Sequence, residues 1–218
     1  LDSKTLIDYH TWAHRAWCRT ELISHLLSSS KAPVVVIRSK NQADIMDSAN
    51  SVTRFAAVGQ GNLTVDEDRP VLAALVQNIL GPYLSELRSD RSSMDAIFQY
   101  RYMLAMRPTF LAGFDDCSID MNFENSSEVF LRLYDFDLGT DPSDETGNLK
   151  CVVDNDAMGG WTPLRFAVIQ GNVKVAQELI DVHGARIDVV LADAQASVGR
   201  AANSNIIHEA AIQNTGDG

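Results

Sequence analysis

Between Asn155 and Gly184 the chain reads NDAMGGWTPLRFAVIQGNVKVAQELIDVHG, and this stretch limits the fold more than any other. Thr162 can cap a helix, and Pro163 follows where a missing N–H costs nothing. Leu164, Phe166, Ala167 and Val168 supply apolar positions inside that helix. Gly171 suits the left-handed conformation that ends a helix. Asn172 can cap a second one, in which Val173, Val175, Ala176, Leu179 and Ile180 recur near helical spacing. Gly184 stops it. The spacing therefore predicts two antiparallel helices bent sharply at Gly171, with an apolar side that must be buried against neighbours.

Thr162-Pro163-Leu164, Ala167, Gly171-Asn172, Val175 and Leu179-Ile180 together resemble an ankyrin repeat, whose period is about 33 residues. Arg165 stands where the family has His, which removes the hydrogen bond that ties that His to the Thr of the same motif. A degenerate second repeat is read at 203–218, where Asn205-Ile206-Ile207-His208-Glu209-Ala210-Ala211 keeps His208 and the alanines but lacks Thr and Pro. Thr162, Pro163, Leu164, Ala167, Gly171, Asn172 and His208 are the structural positions this resemblance implies. Ankyrin stacks bind proteins on a concave face of turn tips and first helices. Here that points to Met158, Trp161, Arg165, Ile169 and Gln170 as partner-binding residues. Trp161 has a second reading, as a buried staple of the preceding loop.

About three repeats are needed for a stable stack, so one and a half cannot stand alone. Either upstream helices cap the repeat or the natural chain continues past Gly218. With Leu rather than Met at position 1, the chain is expected to be a processed chain or a fragment, the latter of a larger, multidomain signalling-type protein.

Upstream, a helix is expected from about Ile7 or Thr11 to Leu27, with Trp12, Ala16, Ile23, Leu26 and Leu27 on one side. Pro33–Ile37 is a short β-branched run and reads as a buried strand of a parallel α/β unit. Residues 38–66 are polar, with one short helix expected near Ala43–Ala49. The Gly59-Gln60-Gly61 triplet lacks a third glycine at dinucleotide spacing and reads as a turn. Asp66-Glu67-Asp68 suit the start of a helix over Val71–Leu87, which Gly81-Pro82 should kink or split. Ser92 and Asp95 form a capping-box-like start for a helix over Met94–Met106, ended or bent at Arg107-Pro108. Met94, Phe98, Tyr102, Met103 and Met106 are its candidate core.

The 218 residues suit one or two domains, and the composition is ordinary globular. The net charge is −11, of which the window Asp115–Asn148, with ten acidic residues and one basic, supplies −9. This acidity reads as a local solvated connector and argues against nucleic-acid binding, which needs Lys and Arg to displace counterions. Inside the window, Ser126–Tyr134 with Asn125 as cap reads as the second helix of an eroded repeat, its Val129, Leu133 and Tyr134 matching Val175, Leu179 and Ile180. The apolar run Ala32–Ile37, with Pro33 inside it, is far too short to span a membrane. The scattered cysteines Cys18, Cys117 and Cys151 fit a reduced, cytoplasmic compartment.

Two sets of residues are candidates for chemistry. On a continuous first helix, His10, His14, Cys18, Glu21 and His25 share one side and have zinc-compatible side chains. Adjacent positions on one straight helix reach a single ion poorly, and no second cluster completes the set, so no metal and no cofactor are expected. The run Trp17-Cys18-Arg19-Thr20-Glu21-Leu22, followed by Pro33–Ile37, resembles the W-C-x-x-E-L helix and next strand of Toll/interleukin-receptor-like (TIR) domains over about forty residues. In NAD-cleaving members the Glu of that motif is catalytic, a role that would pass to Glu21 only if the resemblance holds. A carboxylate there stabilises the cationic centre formed as nicotinamide leaves. The alternative leaves Trp17, Cys18 and Leu22 in the core, with Glu21 beside Arg15 or Arg19 or facing solvent.

The expected architecture is mainly α: a partial α/β, TIR-like unit at 1–60, a helical region at 61–113, an acidic connector at 114–149, and an ankyrin-repeat segment at 150–218. The expected function is a protein–protein interaction scaffold with a protein partner or self-association. A TIR-like NAD-cleaving or self-associating signalling domain tethered to ankyrin repeats is the alternative.

Overall fold

The computed structural model describes residues 9–28, 32–45, 57–90, 92–114, 117, 126–136, 161–188, 207 and 210. These are mainly helical: α1 (Tyr9–Ala13), α2 (Ala16–Leu26), α3 (Arg69–Ser89), α4 (Met94–Ala105), α5 (Arg107–Leu111), α6 (Ser127–Leu133), α7 (Pro163–Gln170) and α8 (Val173–Asp181). One two-stranded sheet joins β1 (Val35–Ser39) to β2 (Gln42–Ile45). The chain divides into two compact units, Leu1–Ser85 with Thr109–Asp120, and Glu86–Pro108 with Met121–Gly218. Among the described residues no helix is long and apolar enough to cross a membrane.

In the first unit the expected N-terminal helix is broken. Arg15 is extended (φ −88°, ψ 131°), because its stretch of backbone pairs with Asn62. Ala16 N–H donates to Asn62 O at 3.0 Å, and Asn62 N–H donates to His14 O at 2.6 Å. Gly61 permits this approach, since a Cβ there would lie 2.6 Å from the Ala16 backbone. Arg19 then ties the two helices together, donating from Nε to Ala13 O and from Nη1 to Ala57 O, both at 2.8 Å. Burial lowers its pKa, yet an arginine remains charged and satisfies these carbonyls.

α3 runs unbroken through Pro82, where a kink or split was expected. Gly81 and Pro82 are both exposed, so the carbonyl left without an intrahelical donor can face water. Its Leu72, Ala73, Val76 and Leu80 are buried at helical spacing. The strand expectation also changes. β1 and β2 pair antiparallel, with Val35 opposite Ile45 and Ile37 opposite Ala43, and Ile37 is 77% exposed. Ser39 Oγ accepts from Asn41 N–H at 3.4 Å, closing a tight turn, so the apolar run finds its partner a few residues on rather than across a helix. Ala43–Ile45, expected in a helix, lie in β2; residues 46–49 fall outside the described residues.

In the second unit α4 is capped by Ser93 rather than Ser92, and Ser93 Oγ accepts from Ala96 N–H at 3.1 Å. Phe98, Tyr102, Met103 and Met106 are buried, as the sequence predicts; the Met94 side chain is outside the described residues. α4 packs on α7, α6 packs on α8, and α7 packs on α8. Phe130, Leu131 and Tyr134 carry the buried side of α6, while Val129 is exposed, so the buried positions shift by one from the expected match. α6 ends with Asp135 at φ 53°, Asp135 N–H bonded to Arg132 O and Phe136 N–H to Leu131 O. That is the Schellman arrangement, with Asp in the place usually held by Gly.

Candidate interaction site

The α7–α8 pair forms by local capping, as its sequence predicts. Thr162 Oγ1 accepts from Arg165 N–H at 3.3 Å, and Pro163 occupies the first helical position. Gly171 takes φ +73°, Gly171 N–H reaches Val168 O at 3.0 Å, and Asn172 N–H reaches Ala167 O at 2.9 Å. Asn172 Oδ1 then caps α8 by accepting from Val175 N–H at 3.1 Å. Leu164, Ala167, Val175 and Leu179 are buried. After α8, Gly184 adopts φ +65°, and its N–H donates to Ile180 O.

An aromatic cluster joins this pair to α4 and α6. Trp161 lies edge-on to Phe98 at 4.7 Å between ring centres, and within 5.6 Å of Phe166 and 6.1 Å of Tyr102. Phe166 also neighbours Tyr134 and Phe136, and Phe130 stacks on Tyr134 at 4.1 Å. Arg101 covers Phe136 at 3.8 Å and donates to Tyr134 O and Asp135 O, both at 2.7 Å. Tyr100 OH donates to Leu133 O at 2.8 Å.

This packing corrects the expected contact face. Trp161 is 3% exposed, and Arg165, Ile169 and Gln170 are also buried. Because α7 touches α4 as well as α8, side chains expected on an open face are interior. The staple reading of Trp161 fits its burial, and Arg165 lies with its guanidinium 5.6 Å from the Trp161 ring. Met158 and His208 lie outside the described residues.

A second contact was not visible in the sequence. Glu178 Oε2 accepts from Ser127 N–H, and Ser127 Oγ bonds His183 Nε2, both at 2.9 Å. A serine beside an imidazole has the appearance of a nucleophile and base. Ser127 is 1% exposed, however, and the carboxylate is spent on its amide. The chemistry is that of a helix cap supplied from 51 residues away, on a helix whose own N-cap residue, Ser126, makes no side-chain cap. The expected cap, Asn125, is outside the described residues.

The first unit does not assemble the candidate chemistry of its helix. The break at Arg15 separates His14 from Cys18, Glu21 and His25, and His25 Nε2 is bonded to Ala32 O at 2.8 Å; the His10 side chain lies outside the described residues. Burial pushes the Cys18 thiol up from its ordinary value, with the Glu21 charge adding to the effect. Among the described residues no group of three metal-ligating side chains occurs. Glu21 is exposed on α2, and β1 pairs antiparallel with β2 rather than in the parallel α/β unit expected from its apolar run. Gly59 offers no phosphate cradle either, since the Gly113 backbone fills the space beside it.

Two capped antiparallel helices with a left-handed glycine between them, packed on two more helices, form one helix–turn–helix unit of the kind that helical repeats stack. Residues 159–191 match the family model of the ankyrin repeat, and this segment is an ankyrin repeat. No curated protein and no solved structure matched the chain.

Proposed function

We propose that this chain is a protein-recognition scaffold and one module of a larger signalling-type protein. The observation that carries the reading is the capped repeat at 159–191, packed on a further pair of helices. On this reading α4 and α6 are the two helices of a preceding repeat, with an enlarged connection between them. First helix lies on first helix and second on second, as side-by-side stacking requires. Cys18 and Cys117 are free thiols, which supports a reducing, cytoplasmic setting.

The test uses the whole chain as bait for chemical cross-linking in a cell extract, beside a Leu164→Asp variant that breaks the repeat. Circular dichroism reports the helix lost in the variant. Proteins captured by the intact chain and lost with the repeat support the reading. An identical captured set from both chains, or none from either, refutes it.

A further inference from the structure

Trp17 combines exposure with fixed placement. Its side chain is 42% exposed, yet its indole N–H donates to Asp68 Oδ2 at 2.9 Å. From Asp68 the apolar surface continues along one face of α3. Val71 and Leu75 follow at the i+3 and i+7 positions and are both exposed, Val71 by 55%. On the other side Asp68 N–H bonds the carbonyl of Val65, a further exposed apolar residue. None of the four serves the interior, because the buried stripe of α3 is Leu72, Ala73, Val76 and Leu80.

The rim of this patch is anionic. Glu21 stands one turn from Trp17 on α2, and Asp66 and Glu67 precede Asp68; all three are exposed. The nearby Arg69 keeps its charge but is turned toward backbone, its Nη1 held by Gly59 O at 2.6 Å and Gly113 O at 2.9 Å. Arg15 and His14, just before Trp17 in the chain, are exposed as well. A rigid aromatic beside aliphatic side chains, with acidic residues in the majority around it, has the composition of an interaction hot spot.

We infer that the surface of Trp17, Val65, Val71 and Leu75 docks a basic amphipathic segment of a partner protein. Aliphatic or aromatic side chains of that segment cover the four apolar residues, and its Lys or Arg side chains meet Glu21, Asp66 and Glu67. The surface lies in the first unit and does not rest on the ankyrin reading.

The experiment titrates the full chain with an 18-residue amphipathic Leu/Lys helix. Controls are the same peptide with Lys changed to Glu, and a scrambled Leu/Lys peptide. The readouts are affinity and the NMR resonance of the Trp17 indole N–H. The amphipathic Leu/Lys peptide is expected to shift that resonance and to bind at least tenfold more tightly than either control. Trp17→Ala with Val71→Ser should weaken it at least tenfold. Asp66→Lys with Glu67→Lys, which spares every apolar residue, should reverse the preference toward the Leu/Glu peptide. An unmoved Trp17 resonance at saturation, or unchanged affinity in both double variants, overturns the inference and places the peptide elsewhere, such as on the acidic window.

Discussion

Three glycines separate two costs that are usually mixed. At Gly113, with φ +83°, a left-handed L-residue costs about 1–2 kcal/mol. A Cβ there would also stand 2.6 Å from Gln60 N and 2.7 Å from Gly59 O, backbone atoms that cannot rotate aside. Ordinary contact starts near 3.4 Å, so the two segments must part by several tenths of an ångström and strain the Arg69 bridge between their carbonyls. Overpacking of that kind costs about 1–3 kcal/mol. Gly113→Ala should therefore destabilise the first unit by about 2–5 kcal/mol, the sum of both terms. Gly59→Ala meets Gly113 C at 2.5 Å without the left-handed φ and should cost about 1–3 kcal/mol. Gly171→Ala has φ +73° with nothing within 4 Å and should cost only the conformational term, about 1–2 kcal/mol. The entropy that alanine removes from the unfolded chain is shared by all three and cancels in the comparison. Because two units need not unfold together, urea melts should be read with amide hydrogen exchange. Val58 and Phe114 report the first unit, Ala167 and Val175 the second. Equal losses for Gly113→Ala and Gly171→Ala, or loss of protection in the wrong unit, would refute the argument.

Trp161→Ala should cost the second unit about 3–5 kcal/mol in urea unfolding, because the ring is buried against Phe98 and Phe166. Glu178→Ala should cost about 1–2 kcal/mol by uncapping Ser127, and Glu178→Gln, which keeps an acceptor, less than half of that by the same melt. The raised Cys18 pKa has a definite sign. Folding favours the neutral thiol, so its contribution to stability is complete below the ordinary value of 9.0 and is lost as pH rises through the folded value. Iodoacetamide near pH 9 should accordingly modify Cys18 more slowly in the folded chain than in urea, as peptide mass spectrometry would record.

Legibility followed the range of the interactions. The α7–α8 pair was readable because Thr162, Pro163, Gly171 and Asn172 act on backbone within five residues of themselves. The core of α4 was readable from spacing alone, although two adjacent serines offered the same cap and Ser93 took it. The break at Arg15 was not readable. No proline or glycine marks it, and its cause is Asn62, distant in sequence. The strand failed differently, since a run of β-branched residues does not say which strand it pairs with. The contact face failed because helical periodicity gives the apolar side of α7 but not the neighbour on its other flank, which is α4.

The same distinction explains why the α7–α8 pair was legible as a unit and the neighbouring α4 and α6 were not legible as a pair. A period of about 33 residues is detectable only when both helices of a repeat fall within one window. α7 and α8 are separated by Gly171 and Asn172 alone. α4 and α6 are separated by residues 106–126, of which Thr109–Asp120 belong to the other compact unit. A period signal cannot survive an interruption of that size, whatever the helices do in space. Packing tolerates it, because the cost of closing a loop grows only with the logarithm of its length. The contacts that hold α4 and α6 in place come from Arg101 and Tyr100 on one side and Glu178 on the other, all acting across 33 or more residues. Side chains of this kind take over the alignment that a short, capped turn provides between α7 and α8.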